Sequence, residues 1–411
     1  MLPRRLIVAD PGLRDPLGHH LNYSLAITEA ARAHGIPPLL LVSREFRGRL
    51  PNGIDARPSF TAMYHSAGGG GAPRQALFAA AGRLPAPLAA RVAPFGQGLR
   101  RAFKRAAADG FAAELAAALD TVGDVSRDLL LLHSVSAANL AGLATALPAT
   151  KLGTIAIILR RTPADMDRDD AGPMAIAAIL GGLAAHLGAA LRLLADTAPL
   201  ARMWFAALDL PVATAPLPVV APPLRDSPPG QPPHLVFIGG ARVEKGYGLL
   251  PDLVQRLLGK ARFTIHSGPV GGAADPLLQR AQRRLRRLSG PGLELLERAL
   301  PPAEYLGLLD SADLLLLPYD ARAYGPRSSG ILAEARAAGL PAVVPAGCWM
   351  ADQLAPGTGL TFDSPAGFAM VVQDALGRLP ALRQSWAAAA PAWRQAHSPA
   401  ALLAQLLDEP G

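Results

Sequence analysis

Short apolar runs recur along this chain, separated by stretches with helical spacing. In the first half they are RLIVAD, PPLLLVS, DLLLLHS, KLGTIAIIL, LRLLADT and VATAPLPV; in the second, PHLVFIGG, ARFTIHSG, LELLERAL, ADLLLLPYD and LPAVVPAG. The runs are continuous rather than alternating, which marks strands buried on both faces of a parallel sheet. Such strands alternating with helices build doubly wound α/β layers. Between the two series lies VAPPLRDSPPGQPP, residues 220–233, which has the composition of a proline-rich linker. The pattern predicts an α/β fold of two doubly wound, Rossmann-like domains facing each other across a hinge and cleft. The first covers residues 1–220, the linker 221–233 and the second 234–388. A length of 411 residues is too great for one core and agrees with that division.

Composition changes this picture little. Half the residues are hydrophobic and 18% are charged, a globular balance. The single cysteine, Cys348, excludes an internal disulfide and suits a reducing compartment. The apolar part of MLPRRLIVADPG is too short for a signal-peptide core. Residues 171–191 carry no Asp, Glu, Lys or Arg, but their Ala, Gly and Pro173 favour a buried helix over a membrane span. A soluble, cytoplasmic protein is expected.

Charge adds more. Formal net charge is +8, and eight basic residues with no acid lie between Ala56 and Ala108, from Arg57 to Arg105. That stretch is the candidate for contact with an anionic substrate or, peripherally, with the anionic inner face of a membrane. With aromatics at 5% and no recognition motif, nucleic acid is not expected as a partner. A second cluster, QRAQRRLRRL at 279–288, sets Ala281, Leu285 and Leu288 on one stripe and reads as an amphipathic surface helix.

Ligands of doubly wound folds bind beyond the carboxyl ends of strands, so the residues that follow the apolar runs carry the candidate chemistry. GGARVEKG, residues 239–246, follows LVFIGG and holds Lys245, one of four lysines in a chain that otherwise uses arginine. It is either a solvated turn or a pocket for an anion. In PLGHH, Gly18 opens a helix and would let backbone approach a ligand. His19 and His20 cannot share a helix face and, with Asp15, lack a third ligand at metal spacing, so no metal is expected there. His133 ends DLLLLH, where it is either a contact within the fold or a side chain aimed at the cleft. Ser328, Ser329 and Gly330 begin the helix GILAEARAAG, whose first N–H groups suit a phosphate. Glu334, one turn in, would repel phosphate but can accept hydrogen bonds from sugar hydroxyls. The plain alternative is a complement to the helix dipole, well under ~1 kcal/mol. Arg160 and Arg161, after KLGTIAIIL, are either holders of an acceptor phosphate or ordinary surface arginines.

Three of these segments, GGARVEKG, ADLLLLPY and GILAEARAAGLPAVV, together resemble the C-terminal domain of group 1 (family 4) glycosyltransferases, which have the GT-B fold. PLGHH and DLLLLHS are similar, more loosely, to the family's N-terminal glycine loop and the strand whose histidine faces the donor sugar. The resemblance implies a hexosyltransferase-like enzyme that moves a sugar from a nucleotide-diphosphate sugar to an acceptor. It implies retention of anomeric configuration, no metal or other cofactor, and a C-terminal segment, 389–411, that crosses back to the first domain. It assigns the catalytic work to His133, Arg242 and Lys245. Binding of the donor nucleotide falls to Gly18, Gly240, Arg242, Lys245, Ser328, Ser329, Gly330 and Glu334: the basic pair on the diphosphate, the helix start cradling it, Glu334 on the ribose. A saccharide or lipid-linked acceptor, as in envelope polysaccharide or glycolipid synthesis, agrees with the basic first domain.

Two departures stand out. The family's E-x7-E pattern would place an acid at Pro326, or at Arg327 with one deletion, and neither is acidic; Asp320 in the preceding loop is the nearest substitute. The basic pair in GGARVEKG is three apart, where the commoner form has Arg five before Lys. Two other functions therefore stay open: a nucleotide-sugar epimerase on the same fold, and a nucleotide-sugar-binding protein without catalysis.

Overall fold

The computed structural model describes residues 3–14, 18–47, 50, 53–61, 105, 108–147, 152–169, 175–220, 224, 228–268, 275–355, 357–358 and 360–408. In the N-terminal half the strands are β1 (Leu6–Asp10), β2 (Pro38–Ser43), β3 (Asp55–Phe60), β4 (Leu129–Leu132), β5 (Thr154–Leu159), β6 (Leu191–Ala195) and β7 (Ala213–Thr214). They form one sheet in the order β3-β2-β1-β4-β5-β6-β7, parallel throughout. Each of the six apolar runs supplies a strand. β3, DARPSF, gave no such signal because it is an edge strand: Asp55 and Pro58 are exposed and only Ser59 and Phe60 are buried. Along β1, side chains alternate between the two faces, Ile7 and Ala9 on one and Leu6 and Val8 on the other. The second face also receives Leu402, Leu403 and Leu406 of the C-terminal helix Pro399–Leu407. Arg192 of β6 donates to the Leu406 carbonyl, fastening that helix to the sheet.

In the C-terminal half the strands are β8 (His234–Phe237), β9 (Arg262–His266), β10 (Leu293–Leu296), β11 (Leu314–Leu316), β12 (Ala342–Pro345) and β13 (Thr361–Phe362). They pair in parallel in the order β10-β9-β8-β11-β12-β13. β8, β11 and β12 are buried at every residue, as the apolar runs required. β13 is two residues long, too short for any periodicity to register.

The chain divides into two units, Met1–Ala215 with Leu402–Gly411, and Pro216–Ala401. The expected divisions were residue 220 and residue 389. The proline-rich stretch belongs to the second unit, and its end is fastened there locally: the Gly230 and His234 amides both donate to Asp313 Oδ2, at 3.0 and 2.8 Å, and Arg383 holds Oδ1 at 2.8 Å. In each sheet the direction of strand succession reverses once, between β1 and β4 and between β8 and β11. Such reversal points open a crevice at the carboxyl edge of an α/β sheet.

The 279–288 cluster lies on the helix Pro276–Leu288, which buries Ala281 and Leu285 and turns its arginines outward. Most of the basic stretch from Arg57 to Arg105 lies outside the described residues. Of residues 171–191, Ile176–Leu187 form a helix that buries Leu180 and Leu183. Among the described residues no helix is long and apolar enough to cross a membrane.

Candidate functional site

The β8/β11 reversal point gathers most of the predicted chemistry of the second unit. β8 ends at Phe237, and the chain then turns through residues 238–246. The Ala241 amide donates to the Ser267 carbonyl at 2.7 Å and the Gly246 amide to the Val243 carbonyl at 2.9 Å, which closes the turn. Lys245 folds back so that Nζ donates to the Gly239 carbonyl at 2.8 Å. The ammonium lies 5.5 Å from the ring centre of Tyr319, in the loop three residues beyond β11, at cation–π distance.

Two glycines make this packing possible. Gly246 has φ +67°, and a Cβ there would lie 1.7 Å from the Pro318 carbonyl oxygen, so only glycine lets the turn press onto the β11 loop. Gly239 has φ +138°, and a Cβ there would meet Lys245 Nζ at 2.7 Å and Ile331 Cδ1 at 3.3 Å. Ile331 is the second residue of a helix we call α1 (Gly330–Ala338). The glycine turn, the lysine and the start of that helix therefore meet at one place.

Burial, and then the nearby Arg242, pull the Lys245 ammonium down to about 8, with Glu244 opposing them. Arg242 itself is well exposed, 3.9 Å from Glu244, so their attraction is weak. At the start of α1, Ser329 is the N-cap: its Oγ accepts from the Leu332 amide at 3.4 Å and its carbonyl from the Ala333 amide at 3.0 Å. The Gly330 and Ile331 amides have no acceptor within the helix and are the donors a phosphate would use. Gly240 lies in the turn and Ser328 just before the cap. Asp320, considered as a replacement acid, caps the short helix Ala321–Tyr324 through the Arg322 amide at 2.9 Å.

Glu334 lies one turn into α1 and is partly buried. Burial pushes its carboxyl up to about 7, against the pull of a hydrogen bond from Tyr305. Tyr305 donates its hydroxyl to Glu334 Oε2 from the helix Pro302–Ser311. No sequence signal marks Tyr305. Nothing local distinguishes it from other residues on a surface helix, and only the packing of two helices 29 residues apart brings it to the carboxylate. Tyr319, although it ends the segment ADLLLLPY, is likewise unmarked as a partner of Lys245.

In the first unit, Gly18 opens the helix Gly18–Ala33 as expected, while the His19 and His20 side chains and Asp15 lie outside the described residues. His133 is fully buried just beyond β4. Its Nε2 lies 2.9 Å from Ser24 Oγ and 3.3 Å from Asp10 Oδ2, its Nδ1 lies 3.2 Å from Ser134 Oγ, and its ring stacks on Tyr23 at 4.4 Å. These contacts tie the ends of β1 and β4 to the following helix. Arg160 covers the Tyr23 ring at 4.3 Å and lies 3.5 Å from Asp196; Arg161 donates to the Asp165 carbonyl at 2.9 Å. Among the described residues, no group of three or more His, Cys, Asp or Glu side chains stands together as a metal would need.

No protein-family model matches the chain, and no curated protein matches it. Solved structures do match. A sucrose-phosphate synthase from Thermosynechococcus elongatus is 15% identical, with 98% of this chain and 97% of that one covered and a TM-score of 0.64. A UDP-forming α,α-trehalose-phosphate synthase from Burkholderia xenovorans, in complex with glucose-6-phosphate, is 14% identical over 98% and 100%, also at 0.64. HepE of Anabaena, in complex with UDP, is 12% identical over 98% of both chains, at 0.60. At such identities the likeness is one of fold: two parallel-sheet, Rossmann-like domains matching the GT-B architecture.

Proposed function

We propose that this chain is a glycosyltransferase that moves a sugar from a nucleotide-diphosphate sugar to a saccharide acceptor, with retention of anomeric configuration. The observation that carries the reading is the meeting of Lys245, the glycine turn and the first turn of α1, through Ile331, at the β8/β11 reversal point. A departing nucleoside diphosphate gains charge in the transition state, and preorganised cations and N–H dipoles stabilise charge that develops there. On this reading Lys245 supplies a compact point charge held by backbone, and Arg242, swinging in from solvent, a planar fork. Ser328, Ser329 and Gly330 present backbone donors, Gly240 admits the phosphates, and Glu334 accepts from the ribose. The first unit takes the acceptor. Like the three matched proteins, the chain spans both Rossmann-like domains; two of them are described with UDP or as UDP-forming, and we propose uridine as the base.

Lys245, Arg242 and the helix start take the place of a divalent ion, so we propose metal-independent transfer. A second reading, binding without catalysis, draws on one observation: Pro326 occupies the family's first acidic position, and Asp320 is engaged in capping a helix. A thermal-shift screen with UDP, GDP and ADP, followed by nucleotide release from a panel of nucleotide sugars with and without acceptor and chelator, separates these readings. The proposal expects stabilisation by UDP and acceptor-dependent release that survives chelator. Stabilisation without release would favour the binding protein, an epimerised donor would favour the epimerase, and no response to any diphosphate would refute the site.

A further inference from the structure

Glu334 does not stand alone on its helix. Tyr305 reaches across from the helix Pro302–Ser311 and occupies Oε2, while Oε1 has no protein partner among the described residues. The tyrosine is well suited to hold that position. Burial, and then the neighbouring Glu334 carboxylate, push its hydroxyl well above the usual phenol range, so it is a fixed donor at any working pH. A phenol on a packed helix has few torsions to lose, and a carboxylate offers about four lone-pair sites, so one anchored site leaves the others for a ligand. Tyr319, the other tyrosine that acts on Tyr305, does so less than Glu334 and is itself buried with a raised hydroxyl. Tyr305 is thus the titratable group that acts on Glu334 directly.

We propose that Tyr305 is the positioning residue for ribose recognition: by anchoring Glu334 Oε2, it presents Oε1 to the ribose hydroxyls and so sets the preference for a ribonucleotide over its 2′-deoxy form. The inference rests on the assignment of Glu334 to the ribose. Without Tyr305 the carboxylate would rotate freely and lose the hydrogen bond that favours its charged form. Ribonucleotide affinity would then fall, and the pH at which the carboxylate becomes an effective acceptor would rise.

The test is calorimetric titration of wild type, Tyr305→Phe, Glu334→Gln and the double variant between pH 6 and 8.5. The probe is whichever of UDP, GDP and ADP binds wild type most tightly, with its 2′-deoxy form for comparison. Tyr305→Phe should weaken the ribonucleotide on the order of five- to tenfold at pH 7, the scale of one hydrogen bond to a charged group, and leave the 2′-deoxy form within about twofold. The pH midpoint of ribonucleotide binding should move upward, and the double variant should bind no more weakly than Glu334→Gln alone. Circular dichroism confirms that each variant is folded. Should Tyr305→Phe match wild type in affinity and midpoint, or weaken both nucleotides equally, while Glu334→Gln still loses ribose discrimination, Tyr305 has no positioning role. Should Glu334→Gln bind both forms as wild type does, or should no diphosphate bind at all, the ribose assignment falls and the role of Tyr305 with it.

Discussion

The buried lysine of the glycine turn makes nucleotide affinity depend on pH in a way that can be worked out. Lys245 in the free protein is pulled down to about 8, first by burial and then by Arg242. A bound diphosphate would restore its charge, so binding takes up a proton wherever the free amine is neutral. At pH 7 roughly nine-tenths of the free lysine is already charged; at pH 9 roughly one-tenth is. Affinity for UDP should therefore fall about tenfold between pH 7 and pH 9, about 1.4 kcal/mol. The interval suits the measurement. The terminal phosphate ionises near pH 6 and is charged throughout, while Glu334, pushed up to about 7, completes its ionisation between pH 7 and 8 and would offset the fall by at most about twofold, all of it below the upper half of the interval. The Tyr319 hydroxyl, raised by burial, stays neutral throughout. Titration calorimetry at pH 7.5, 8.5 and 9.5, in buffers of differing ionisation heat, reads both the affinity and the proton uptake. Lys245→Met should weaken UDP by about 1.5–3 kcal/mol at pH 7.5, and by less at 9.5, because the wild type has lost its charge there too. Lys245→Arg keeps a charge that does not titrate and should flatten the slope. Free-protein stability runs the other way. A lysine whose folded value lies below its unfolded one contributes stability fully present above about pH 10.5 and lost as pH falls through about 8. A wild-type affinity slope equal to that of Lys245→Met would refute the reasoning, because the proton would then belong to another group.

Two further substitutions probe the packing. Gly246→Ala forces a side chain into left-handed backbone and onto the Pro318 carbonyl, and should cost about 2–4 kcal/mol in urea denaturation; a loss below ~0.5 kcal/mol would show that the turn can shift freely. His133→Ala removes a fully buried ring with its hydrogen bonds to Ser24 and Ser134, and should cost about 2–4 kcal/mol while UDP affinity stays within about twofold. Unchanged melting combined with slowed transfer would instead return His133 to the donor side.

How much of this was legible beforehand depended on how local each feature is. The strand runs were legible because a strand covered on both faces must be apolar along its whole length, and that demand is written in consecutive residues. β3 escaped because an edge strand carries no such demand, and its Asp55 and Pro58 point to solvent. The glycine turn and the α1 start were legible because left-handed backbone and helix caps require particular residue types at particular places, here Gly239, Gly246 and Ser329. Their roles were matters of location and not of type.

What the sequence alone determined was the layered α/β plan, its two halves and the segments at the strand ends where chemistry could lie. Tertiary structure decided which of those residues meet. It sealed His133 against Asp10 and Ser24, partners 123 and 109 residues earlier in the chain, and took Asp320 for a helix cap. It brought Tyr319 over Lys245 and Tyr305 onto Glu334, contacts that no local signal announces. The physical reason is that patterning constrains what a residue must be where it is buried, capped or bent. A side-chain hydrogen bond between distant residues constrains only the pair, and the pair exists only once the chain has folded.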